Sequence, residues 1–231
     1  MLDRSLIEKL IQESSQRAQR RSKEFVMFGR IFVSVMGELL PEIDMPAIID
    51  RIEKTIPTHL FDEIDSIFIG SFSENDDRAL EARYESGAIY ITSDLPENLD
   101  YIENIVHEAA HSLEAARGLE IYGDKKVEEE FLGKRKTLER TLNSEKIDTT
   151  GLDFLDPEYS ENFDLFLYKM VGYDNLNNFT NGLFSSPYGA TSLKEYFANG
   201  FEEFFLGNRE HLKRISPQLF TKLMEIIDND F

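Results

Sequence analysis

The chain has no cysteine and only four histidines in 231 residues. Without thiols there is no disulfide framework and no thiolate metal site, so a transition metal would have to rest on His, Asp or Glu. Basic residues are outnumbered, with 25 Lys and Arg against 44 Asp and Glu and a formal net charge of -19. That balance argues against a surface that grips phosphate backbones, and no nucleic-acid partner is expected. The excess acid favours solubility and cationic partners. Long apolar runs are missing too. Charges break up the stretch Leu2-Asp-Arg-Ser-Leu-Ile-Glu-Lys-Leu-Ile11. The run from Gly29 to Leu40 falls well short of the roughly 20 residues that span a bilayer. Neither a signal-peptide core nor a membrane span is expected, and the default compartment is cytoplasmic. A protein released by lysis, by a non-classical route or inside a virion would look the same.

Against these absences stands enough apolar material for a sizeable core, with 41% hydrophobic residues and 18 Phe. The length suits one domain, or one domain with a small extension. Residues 1–56 read as an N-terminal helical region. One helix is expected over 2–26, a second from Glu24 to Leu40 before Pro41, and a third from Pro46 to about Thr55. Residues 57–231 read as the main domain. Asp65–Phe72 and Ala88–Thr92 are rich in β-branched and aromatic residues and predict strands, the second after a Ser86-Gly87 turn. Pro96 opens a helix to about Gly118, with Leu99, Ile102, Val106, Ala109, Ala110 and Leu113 as its apolar stripe. Val127, Phe131, Leu138 and Leu142 predict an amphipathic helix, and further helices follow Pro157, Ser192 and Ser216. The expected fold class is α+β, mainly helical with a small sheet.

The helix after Pro96 carries His107-Glu108-Ala-Ala-His111. Histidines four apart share one helix face and can reach one metal ion, and the glutamate between them can act as a general base. Such a five-residue match arises by chance in on the order of one per cent of chains this long. Catalytic zinc usually takes a third protein ligand and keeps one position open. The third histidine of a metzincin would fall at Arg117, and His59 and His211 are isolated. A downstream carboxylate is therefore expected, with Glu195 as the first candidate and Glu202 and Glu203 as rivals. Ser192-Leu-Lys-Glu195 is equally a capping box, in which Glu195 would only bond the helix start.

The segment Tyr188-Gly-Ala-Thr-Ser-Leu-Lys-Glu195-Tyr-Phe-Ala-Asn-Gly-Phe resembles the second half of the zinc site in the anthrax lethal factor and Pro-Pro endopeptidase family. In that family a Glu opening an E-[FY]-F-A-E-A-F helix is the third ligand, and a tyrosine seven residues earlier points at the reaction centre. The resemblance covers roughly Ile56 to the C-terminus. It implies a zincin-like metallopeptidase fold and one zinc per chain on His107, His111 and Glu195. It also implies Glu108 as the base, Tyr188 as the group that stabilises the oxyanion, and a peptide or protein substrate. An extended peptide would add to the Ala88–Thr92 strand, expected at the sheet edge. Two features depart from the family. Asn199 stands where it has a second glutamate, and His111 and Glu195 are 84 positions apart, far more than usual. The excess, about 119–180, is expected to be an acidic helical insertion near the cleft. The Asn199 departure supports an alternative: a zinc-binding structural or interaction protein on the same scaffold, with little turnover. A hydrolase acting on another amide is a third.

Overall fold

The computed structural model describes residues 22–72 and 81–228. Most of the helix expected over 2–26 lies outside them. The helix expected from Glu24 to Leu40 is not formed. Strands β1 (Ser22–Met27) and β2 (Ile31–Met36) pair there as an antiparallel hairpin. The reason is a period of two. Ile31, Val33 and Val35 are buried while Phe32 and Met36 are 37% and 44% exposed. Phe28 and Gly29 both take positive φ, as a type I′ turn requires. An apolar run with β-branched residues on alternate positions favours the strand over the helix.

The Pro46 helix forms as expected, as α1 (Met45–Thr55), and buries Met45, Ile48, Ile49 and Ile52. A short 3₁₀ turn at Thr58–Phe61 follows. The first predicted strand is β3 (Ser66–Gly70). β4 (Ala82–Glu85) and β5 (Ala88–Thr92) form a second hairpin. Its two-residue loop, Ser86-Gly87, again has positive φ at both positions. The sheet order is β1-β2-β3-β5-β4, with β2, β3 and β5 parallel to one another. β5 is therefore not an edge strand. The β4 hairpin arm covers it, and the edges are β1 and β4.

Helix α2 (Asn98–Tyr122) carries the His-Glu-x-x-His motif and runs past the expected end at Gly118. Its backbone leaves helical geometry only at Arg117 (φ -116°, ψ 21°). Leu99, expected in the apolar stripe, is 38% exposed, and Tyr101 and Ile105 fill the buried face with Ile102, Val106, Ala109, Ala110 and Leu113. The chain divides into two compact units within this helix. The first comprises the described residues up to Lys54 and Asp62–Glu108, and the second Thr55–Phe61 and the described residues from Ala109 on.

The second unit is helical. It contains α3 (Lys126–Ser144), α4 (Glu161–Leu165), a π-helical turn at Phe166–Val171 and α5 (Tyr173–Thr180). These are followed by a 3₁₀ turn at Tyr188–Ala190, then α6 (Leu193–Phe205), α7 (Arg209–Ile215) and α8 (Pro217–Asp228). The segment expected as an insertion is built into this unit's core. Val127, Phe131, Leu138 and Leu142 are all fully buried. Tyr196 of α6 donates to Glu130 of α3 at 2.8 Å, and the same carboxylate accepts from the Gln218 and Leu219 amides. Glu130 thereby caps α8 from another helix, where the N-terminal amides favour negative charge. Arg135, 1% exposed, donates to the carbonyls of Thr191 (3.3 Å) and Asp153 (2.9 Å) and stacks 3.7 Å from the Phe163 ring centre. Gly200 lets α8 approach closely, because a Cβ there would fall 2.2 Å from Leu219 Cδ2. No helix among the described residues is long and apolar enough to cross a membrane.

Candidate metal centre

The helical repeat of α2 puts His107 and His111 one turn apart on one face. Glu195 lies in the first turn of α6, whose N-cap is Ser192. The Ser192 hydroxyl accepts from the Glu195 amide at 3.2 Å. Capping and ligation are thus compatible here. The backbone of Glu195 serves the cap, while its carboxylate Oε1 lies 3.6 Å from His111 Nε2. One donor atom from each of His107, His111 and Glu195 lies within 4.8 Å of the other two, and all three residues are half-buried. The rival glutamates stay outside this group. Glu202 and Glu203 sit two turns along α6, and Glu203 accepts from the Asn208 amide at 3.1 Å.

Two carboxylates face the His111 imidazole. Glu114 Oε2 is 2.8 Å from Nδ1, and Glu195 approaches Nε2. Burial alone would discourage charge on the ring, but the two carboxylates outweigh it and raise its pKa to about 9. Burial likewise pushes Glu114 up, against the pull of the imidazole. The histidine shift is the one the geometry dictates, since a single ring sits between two acids. The spot therefore favours positive charge. Two imidazole nitrogens and one carboxylate oxygen, with no thiolate, form a donor set that could hold a divalent transition-metal ion.

Glu108, next to His107, is buried at 7% exposure. Tyr188 is half-buried on the 3₁₀ turn that leads into α6, and its carbonyl accepts from Thr191 N (3.0 Å) and Oγ1 (2.7 Å). Among the described residues Asn199 bonds Ser186 and the Glu195 carbonyl rather than a histidine. Its Nδ2 donates to the Glu195 carbonyl at 2.8 Å, and its Oδ1 accepts from the Ser186 hydroxyl. Ser186 Oγ in turn accepts from the Gly189 amide at 3.3 Å. Asn199 therefore fastens the Ser186–Gly189 turn, which carries Tyr188, to the helix that carries Glu195.

Sequence reasoning missed Glu114 and Tyr122. The Tyr122 hydroxyl donates to the Glu114 oxygen that His111 does not use. A carboxylate three residues after His111 was a visible signal. Tyr122 gave none, because eight residues of regular helix carry a side chain about 12 Å along the axis, beyond the i+3 and i+4 neighbours, and the break at Arg117 lies between them. Set against family models, curated proteins and solved structures, the chain matches none of them.

Proposed function

We propose that this chain is a zinc-dependent endopeptidase with a zincin-like catalytic arrangement. The observation that carries the reading is the convergence of His107, His111 and Glu195, from two helices far apart in sequence, on one point. The His-Glu-x-x-His spacing and the Tyr188-to-Glu195 spacing support it independently. Zinc held there supplies Lewis-acid stabilisation of developing negative charge and makes water more acidic. Glu108 accepts the proton of the attacking water and passes it to the leaving amine. Tyr188 donates a hydrogen bond to the oxyanion of the tetrahedral intermediate. The substrate class is a peptide or protein.

The test is turnover of a peptide library by the zinc-loaded protein, with Glu108→Gln as the control. Cleavage that disappears in Glu108→Gln, while zinc content stays the same, supports the peptidase. Zinc at one per chain with no cleavage of any library member would favour a structural or interaction role for the site.

A further inference from the structure

We propose that Glu114, locked by Tyr122, positions the His111 imidazole for the metal. The proposal rests on the metal-site reading above. Glu114 follows His111 by one helical turn and lies on the same face of α2. Its side chain is 5% exposed, and such a buried carboxylate is costly unless its oxygens are satisfied. Both are. Oε2 is 2.8 Å from His111 Nδ1, and Oε1 accepts from the Tyr122 hydroxyl. With a carboxylate holding the Nδ1 proton, Nε2 is the nitrogen left to a cation, and Nε2 is the atom that faces Glu195.

Tyr122 makes this support rigid. It lies past the Arg117 break, so the last residues of α2 turn it back towards Glu114. Its ring meets the Phe197 ring edge-on, with centroids 6.2 Å apart. Phe197 is two residues beyond Glu195 on α6, so one tyrosine touches both the carboxylate behind His111 and the helix that carries the third donor. Negative charge placed behind an imidazole makes it a stronger donor to a cation. The arrangement therefore predicts an effect on metal affinity beyond its effect on folding.

Three variants test this: Glu114→Ala, Glu114→Gln, which keeps an acceptor oxygen without charge, and Tyr122→Phe, which keeps the ring. Zinc affinity is measured by chelator competition, the visible spectrum after Co²⁺ loading, and the melting of the metal-free protein alongside. Glu114→Ala should weaken zinc binding by about 10- to 100-fold. Glu114→Gln should recover part of that loss, and Tyr122→Phe should lose less than the alanine variant. The Co²⁺ bands should shift in the alanine variant, and the metal-free melting temperature should not fall with affinity. If the wild type binds zinc tightly and all three variants bind within about twofold of it, the positioning role is wrong and the metal site stands. A wild type that takes up neither zinc nor Co²⁺ overturns the metal site and this proposal together. If Glu114→Ala fails to fold, unchanged affinity in both Glu114→Gln and Tyr122→Phe is enough to reject the role.

Discussion

Lys134→Met should stabilise the protein at neutral pH, by an amount that shrinks as pH rises. Lys134 is 8% exposed on α3. Its ammonium donates to Ser216 Oγ at 2.5 Å and lies 4.7 Å from the Tyr196 ring centre. Burial lowers its pKa from the ordinary 10.5 to about 8, with Glu130 pulling the other way. Below pH 8 both folded and unfolded chains carry the proton, and the full cost of burying the charge, about 3 kcal/mol, falls on the folded state. Between pH 8 and 10.5 the unfolded chain binds more protons than the folded one, so wild-type stability gains with pH across that window. Methionine replaces the stem with an unbranched apolar chain one atom shorter and removes the charge. The advantage of the variant should be about 3 kcal/mol at pH 7, less whatever the bond to Ser216 contributes, and should fall by about 2 kcal/mol by pH 9.5. Urea unfolding of both proteins at the two pH values measures this. A gap that is the same at both, or a wild type more stable at pH 7, would show that Lys134 is well solvated or that its bond to Ser216 outweighs burial.

Metal analysis should find one zinc per chain, lost in His107→Ala and His111→Ala and strongly weakened in Glu195→Ala. Tight stoichiometric zinc in Glu195→Ala would reduce that residue to a helix cap. Tyr188→Phe should keep zinc and fold and lower kcat by about 10²- to 10³-fold, the usual loss for one oxyanion donor; equal turnover would refute its role. Asn199→Ala should also keep zinc but slow turnover through a looser Ser186–Gly189 turn, and weakened zinc binding without a change in kcat would contradict that division of labour.

The local rules were decisive wherever a short pattern has one outcome. The His-Glu-x-x-His helix, the strand at Ala88–Thr92 and the apolar stripe of α3 were legible because helix and strand periodicities are fixed by backbone geometry. The Ser192 cap was legible because a hydroxyl before an apolar run has an evident use. Tertiary structure decided the rest. The segment from Glu24 to Leu40 is apolar enough for a buried helix; its alternating β-branched residues also suit a strand, and pairing of Ile31–Met36 with β1 and of Phe32–Met36 with β3 decides for the strand. Burying one face supplies more than intrinsic propensity can oppose. At the candidate site, helix periodicity placed His107 and His111 together but by itself could not choose among Glu195, Glu202 and Glu203. That choice depends on which turn of α6 meets α2, and packing sets it. The same holds for Tyr122, whose contact with Glu114 requires a helix broken at Arg117. Chain-local geometry thus determined the motif, and the spacing from Tyr188 to Glu195 pointed to the candidate third donor, while the meeting of Glu195 with His111 and the contacts behind His111 came from packing between residues that no local rule relates.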